Sequence, residues 1–401
     1  MVSREYPWCA WPSLQCRRAW RGAPRPPCQC QQEGGGQRYT CTPRPAPHPA
    51  APSLHAPQRY MGDPREPSGR RKMSQDPEDV SNTNQTEEYD EPTVESEPEE
   101  VSRADPEDEC EDLVILDPNA VDVDLNHRRI AKIENLESLR CVETLCLRWN
   151  LIKKIENLHT LTMLKELELY DNQITVIENL SALVNLETLD ISFNRVRKIE
   201  NLEGLINLKK IFLCANKISR IENLNHLKNL EHLELGDNKI RVIENLDGLT
   251  NLNSIFLGKN KITKLQNLDS LINLKILGVQ SNRITKIEGL GRLVSLDQLY
   301  CSHNGIELLE GLDNNVKLQT LDMAVNKIKK IENISHLTEL EEFWFNGNEI
   351  SDWNDLKQLE NAKGIQTVYL EGNPLQRDPN YRRKIKLALP SLTQIDSTLC
   401  R

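Results

Sequence analysis

Between Pro118 and Pro374 the chain contains no proline. Proline lacks the N–H that a sheet ladder uses, so a gap of this length leaves room for an uninterrupted hydrogen-bonded array. Other absences narrow the function. No window of about 18 apolar residues occurs, which argues against a membrane-spanning helix. The N-terminus has no basic start followed by an apolar core, so no signal peptide is expected. There is no H-E-x-x-H, no G-x-S-x-G and no glycine loop leading into a helix with a lysine, so no catalytic site is expected. Aromatic residues are only 5% of the 401 residues, which makes any local concentration of them informative.

Charge divides the chain into three zones. Residues 1–73 hold 13 of the 21 prolines and 12 basic against 4 acidic side chains, and residues 74–112 hold 17 acidic side chains and one base, Arg103. Both have too few core residues to offset the entropy of ordering and are expected to be disordered. The net charge of −10 comes mainly from the acidic zone, because residues 113–401 carry 37 basic and 39 acidic side chains. Cys141, Cys146, Cys214 and Cys301 lack framework spacing and read as reduced thiols of a cytosolic or nuclear protein. Cys28 and Cys30 with His48 and His55 match no zinc spacing, so neither a metal nor a cofactor is expected.

From residue 113 onward the chain repeats itself. LCLRWNLI, LELYDNQI, LDISFNRV and IFLCANKI are successive copies of one pattern. Its asparagines are Asn150, Asn172, Asn194, Asn216, Asn238, Asn260, Asn282, Asn304, Asn326 and Asn348, each 22 residues after the last. An earlier copy has Arg128 in this slot, and a final one reaches Asn373 after 25 residues. This is the leucine-rich-repeat pattern. The expected fold is an α/β solenoid. Its parallel strands line a concave face, short helical or 3₁₀ turns form the convex return limb, and the asparagine ladder satisfies backbone groups where the chain turns out of each strand. The solenoid is assigned to residues 113–373, with an irregular first repeat over 113–140 closing the N-terminal end. A cap is assigned to 374–401, where Tyr381-Arg382-Arg383-Lys384 starts an amphipathic helix that places Ile385 and Leu389 on the last repeat. The basic cluster of that helix reads as its solvated face. His159, His226 and His336 recur on the return limb and read as repeat filler.

The concave face carries the functional signal. Between the two apolar positions of each L-x-L the column reads Cys146, Glu168, Asp190, Phe212, Glu234, Phe256, Gly278, Tyr300, Asp322, Trp344 and Tyr369. Five of these eleven are aromatic and four are acidic. The flanking columns add Glu166, Glu342 and Glu371 against only Arg148 and Lys210, giving seven acids to two bases. Aromatic anchors with acidic neighbours suit a protein partner bearing a basic patch, and the charge balance argues against nucleic acid. On an open sheet these carboxylates are expected to stay solvated with ordinary pKa values. The rings are expected to be separated by Glu234 and Gly278, so that no continuous stack forms.

Repeats of the type NKIxxIENLxxLxNLxxLxL followed by NPLQRDPNYRRKIKLALPSLTQID resemble the leucine-rich-repeat regulatory subunits of protein phosphatase 1. The resemblance runs from about residue 118 to the end; residues 1–73 do not share it. It implies that the concave face holds the phosphatase catalytic subunit, with Asp190, Phe212, Glu234, Phe256, Asp322, Glu342, Trp344 and Tyr369 at the matching positions. Tyr300 joins this set from the column itself. The resemblance further implies a nuclear and cytoplasmic protein, a role in mitotic exit and chromosome segregation, and a ternary complex with a phosphatase inhibitor. The alternative is a scaffold in a ribonucleoprotein or axonemal assembly, whose relatives share the repeat but carry fewer copies.

Overall fold

The computed structural model describes residues 116–400. The assignments made for residues 1–73 and 74–112 lie outside them. Eleven three-residue strands follow one another: β1 Asp122–Asp124, β2 Thr144–Cys146, β3 Glu166–Glu168, β4 Thr188–Asp190, β5 Lys210–Phe212, β6 His232–Glu234, β7 Ser254–Phe256, β8 Ile276–Gly278, β9 Gln298–Tyr300, β10 Thr320–Asp322 and β11 Glu342–Trp344. They are succeeded by β12 Thr367–Tyr369, β13 Gln394–Ile395 and β14 Thr398–Leu399. All fourteen form one sheet in sequence order, parallel as far as β13, with β14 antiparallel to β13. The register steps by one repeat each time, as in Lys210 pairing with His232 and His232 with Ser254.

A three-residue strand has one inward side chain. From β2 to β12 that central residue is an aliphatic side chain or Phe343, each 0% exposed. The leucines and isoleucines of the return limb, such as Ile218, Ile221, Leu224 and Leu227, close the same continuous core. Burying such a side chain contributes about 1.5–3 kcal/mol, so most of the stability is delivered one repeat at a time.

Three asparagine ladders stitch the turns together. In the first, Nδ2 of Asn172 donates to the carbonyls of Leu147 (2.9 Å) and Leu169 (3.1 Å), and its Oδ1 accepts from Ile152 N–H (3.0 Å). Bonds to the carbonyl of the preceding repeat recur from Asn150 to Asn373. The second ladder is the asparagine of I-E-N-L. Asn179 adopts φ 59 and donates to Ile155 O at 2.7 Å, and Asn201, Asn223, Asn245 and Asn267 repeat this. Asparagine tolerates the left-handed conformation that most residues avoid, which explains its recurrence there. The third lies on the outer edge, where Asn185, Asn207, Asn229, Asn251 and Asn273 each donate to a carbonyl of the preceding turn.

The return limb is built of short 3₁₀-type turns, as expected. Leu161 N–H bonds to Leu158 O and Leu164 N–H to Leu161 O, so single turns abut without overlapping. Where the step lengthens to 25 residues, a 3₁₀ helix does form, Trp353–Leu359.

Both ends are closed. The first repeat is regular in its strand, since Asp122 pairs with Thr144 at the usual step; Leu116, Ala120 and Ile130 pack on the core beside it. Arg128 is exposed and contributes no ladder bond, and Asn150 Oδ1 accepts from both Arg128 N–H and Ile130 N–H. At the other end the helix α1, Tyr381–Ala388, buries Tyr381 and Ile385, with Leu389 just beyond it. Asp396 takes over the ladder's role: its Oδ1 accepts from Leu370 N–H and Glu371 N–H, and Tyr381 Oη donates to it.

Candidate functional site: the concave face

With the central residue of each strand turned inward, the first and third residues face the concave side. The third residues of β5, β7, β9, β11 and β12 are Phe212, Phe256, Tyr300, Trp344 and Tyr369, all half-buried. Their polar atoms are engaged: Tyr300 Oη donates to Gln298 Oε1, Trp344 Nε1 to Glu342 Oε2 at 3.0 Å, and Gln394 Nε2 to Tyr369 Oη. Each ring therefore presents an apolar face from a fixed position.

The acidic members of the column are not solvated, contrary to expectation. Glu168, Asp190, Glu234 and Asp322 are buried, between 5% and 8% exposed. Each sits one strand from a larger side chain or a close-packed neighbour, and a parallel strand spacing of about 4.8 Å leaves little room for water between them. Desolvation pushes the carboxyls of Asp190 and Asp322 above the ordinary carboxylate range, opposed by local hydrogen bonds. Those bonds include Ser192 N–H to Asp190 Oδ1 and Ala324 N–H to Asp322 Oδ1. Glu166 is raised as well, by desolvation and then by the charge of Glu168. Arg148 answers part of this charge, bonding Glu168 through Nη2 and lying 3.9 Å from Asp190 Oδ2.

The rings are also less isolated than their column suggests. His232, the first residue of β6, bridges Phe212 and Phe256 with centroid distances of 4.8 and 5.4 Å. Tyr300, Trp344 and Tyr369 form a second group, at 6.1 Å for each neighbouring pair. Gly278 has a packing reason: a Cβ there would lie 2.8 Å from Phe256 Cδ1, so the ring leans over the bare backbone of the next strand. A third group was missed by reading a single column. His127, Trp149, Tyr170 and Phe193 run along the rim of the first repeats, with neighbouring centroids 4.5 to 5.6 Å apart, and Arg148 lies over Tyr170. Part of the signal was the residue before each ladder asparagine, where Trp149 and Phe193 stand in place of Asp171, Ala215, Asp237, Lys259 and Ser281 of other repeats.

Among the described residues no group of three or more His, Cys, Asp and Glu side chains is placed to hold a metal ion. Burial pushes the Cys146 thiol up to about 12 and raises that of Cys301. None of the described cysteines is joined in a disulfide. His226 and His336 each bond a carbonyl of the preceding repeat through Nε2, a structural use.

Comparison with known proteins fits this architecture. A leucine-rich-repeat model of two copies matches residues 162–205, 184–226 and 228–270, and a second leucine-rich-repeat model matches 277–398. Protein phosphatase 1 regulatory subunit 7 of Danio rerio is 69% identical over 49 residues, which is 12% of this chain and 14% of that protein. The Homo sapiens protein of the same name is 63% identical over 52 residues, 13% of this chain and 14% of its own length. Protein phosphatase 1 regulatory subunit SDS22 of Schizosaccharomyces pombe is 46% identical over 57 residues, 14% of this chain and 17% of that protein. The matched segments thus span about one seventh of the length of these relatives. Among solved structures, a leucine-rich-repeat protein of Leptospira interrogans is 26% identical with a TM-score of 0.60, covering 65% of this chain and 68% of its own. An internalin of Listeria monocytogenes, 23% identical with a TM-score of 0.57 over 70% of this chain and 87% of its own, shares the fold. With repeat models matched over more than half its length, the chain belongs to the leucine-rich-repeat family, and its curated relatives are regulatory subunits of protein phosphatase 1.

Proposed function

We propose that this chain is a non-catalytic regulatory subunit that holds the catalytic subunit of protein phosphatase 1 on its concave face and modulates its activity, assembly or localisation. The observation that carries this reading is the alternation of half-buried rings with carboxylates that already stand out of water. Desolvating a carboxylate is unfavourable, and here that cost falls on the folded chain before any partner arrives. A basic side chain meeting Asp190, Glu234 or Asp322 gains the attraction without the full desolvation penalty, while Phe212, Phe256, Tyr300, Trp344 and Tyr369 provide apolar anchors. The names of the relatives supply the identity of the partner. A nuclear and cytoplasmic location, a part in mitotic exit and chromosome segregation, and a ternary complex with a phosphatase inhibitor belong to the same reading.

The test is a titration of the phosphatase catalytic subunit against wild type and against Phe212→Ala combined with Trp344→Ala. Both rings are half-exposed, so the fold is expected to survive, with circular dichroism as the control. Loss of two anchors is expected to weaken binding by at least a hundredfold, from about 2 kcal/mol per anchor. Undiminished binding by the folded double variant would refute the concave-face reading.

A further inference from the structure

The position just after each ladder asparagine forms a column of its own, on the flank where the chain has left the strand. Over five consecutive turns it reads Arg195, Lys217, Lys239, Lys261 and Arg283. The backbone N–H of each bonds to a carbonyl of the preceding turn, as Lys217 N–H does to Val196 O and Lys239 N–H to Ile218 O, both at 2.8 Å. The five side chains therefore start from fixed places one turn apart. At a parallel-strand step of about 4.8 Å the row is about 19 Å long. Four of the five side chains are exposed and Lys261 is half-buried. The row has ends, since the same slot holds Gln173 before Arg195 and Gly305 after Arg283.

Nothing within the repeat asks for this charge. Leu151, Gln173 and Gly305 occupy the same slot, so the turn accepts an apolar, a neutral polar or no side chain there. Like charges stacked at such a step repel, which is unfavourable for the free chain. Among the described residues none of the five has a carboxylate partner, whereas the basic column three residues further on is neutralised. There Lys198 pairs with Glu200 at 3.2 Å, Arg220 with Glu244 at 3.0 Å, and Lys264 with Glu288 and Lys286 with Glu310 at 3.6 Å each. One basic column is closed by the chain's own glutamates and the other is left open. An extended polypeptide advances about 3.3–3.6 Å per residue, so about six residues would run the length of the open row with carboxylates in reach of successive cations. A single-stranded nucleic acid would want rings for its bases between the cations, and over these five turns Phe193 is the one ring at the adjoining position before the asparagine.

We propose that the row of Arg195, Lys217, Lys239, Lys261 and Arg283 is a second docking surface, for an extended acidic segment of a protein partner that lies across five turns of the solenoid. The surface is distinct from the concave face, so its use does not depend on which partner that face holds. The chain then gathers partners of opposite charge, a basic one on the acidic concave side and an acidic one on the flank.

The experiment titrates a fluorescein-labelled peptide of ten glutamates with the full chain at low salt. Saturable binding is expected, weakening steeply as salt is added. Lys217→Gln combined with Lys239→Gln and Lys261→Gln is expected to weaken it at least tenfold. Lys198→Gln combined with Lys264→Gln and Lys286→Gln removes the same number of charges from the paired column and is expected to change it less than twofold. Both variants keep the backbone bonds between turns, so both are expected to fold, with a melting curve as the control. Absence of saturable binding by wild type would overturn the proposal. Equal loss in the two variants would also overturn it, by reducing the effect to net charge. Tighter binding of an oligothymidylate of similar charge than of the peptide would assign the row to nucleic acid and overturn it as well. Phosphatase binding by the first variant is expected to match wild type; its loss would merge the row with the concave site and overturn the claim of a second surface.

Discussion

Asn238 offers the sharpest test of how the repeats are joined. Its Nδ2 donates to the carbonyls of Leu213 (2.9 Å), Leu235 (3.0 Å) and Gly236 (3.2 Å), and its Oδ1 accepts from Ile218 N–H at 3.0 Å. These bonds are not equally replaceable. Leu213 O also accepts from Asn216, and Leu235 O also accepts from Asn260, so both carbonyls keep one amide when Asn238 is lost. Ile218 N–H has no such second partner, and Ile218 is fully buried. Asn238→Ala therefore orphans one buried donor, at about 1–3 kcal/mol, and removes shared bonds worth about 1 kcal/mol between them. The expected loss is about 2–4 kcal/mol. Because each repeat touches only its neighbours, a defect of that size near the centre is expected to broaden the denaturant transition or split it in two. Asn238→Asp keeps the acceptor for Ile218 but turns a carboxylate toward three carbonyls, so it is expected to cost at least as much. Equilibrium unfolding in guanidinium measures both, and amide exchange at Ile218 reports the orphaned group directly. A loss below about 1 kcal/mol, with Ile218 exchange unchanged, would refute the assignment of this ladder as the joint between repeats.

Two further outcomes follow from the concave face. The carboxyls of Asp190 and Asp322 are raised in the free chain, so their contribution to its stability is lost as pH rises through the folded pKa, whereas a cationic partner binds only the ionised form. Acidification toward the raised carboxyl pKa is thus expected to weaken phosphatase binding; in Asp190→Asn with Asp322→Asn this dependence should flatten, and calorimetric titration at descending pH checks it. Gly278→Ala places a Cβ where Phe256 Cδ1 lies 2.8 Å away, so the ring must swing aside. Since alanine is favoured over glycine within a strand by about 0.5–1 kcal/mol, stability should hold or rise while affinity falls several-fold, a divergence read by a melting curve beside a binding isotherm.

Much of this molecule is legible in its sequence because the repeat is a local instruction. A step of 22 residues, an aliphatic at each strand centre and an asparagine beyond it specify strand, turn and stacking partner together. The capping helix was equally readable, since Tyr381, Ile385 and Leu389 share one face and all three are buried. The column holding Phe212 and Trp344 could be named from spacing alone. Its environment could not. The burial of Asp190 and Asp322, the place of His232 between two rings and the rim group of Trp149, Tyr170 and Phe193 depend on neighbours one strand away, at distances that periodicity does not encode.

The sequence by itself determined the solenoid, its parallel register and the side of the sheet on which aromatic and acidic residues collect, because each follows from period and alternation. Only the tertiary structure decided that those acids stand out of water, that Gly278 makes room for Phe256, and that the His232 ring is held between Phe212 and Phe256. The physical reason is that desolvation, ring contact and hydrogen-bond satisfaction are properties of several strands at once, whereas the repeat is written one strand at a time.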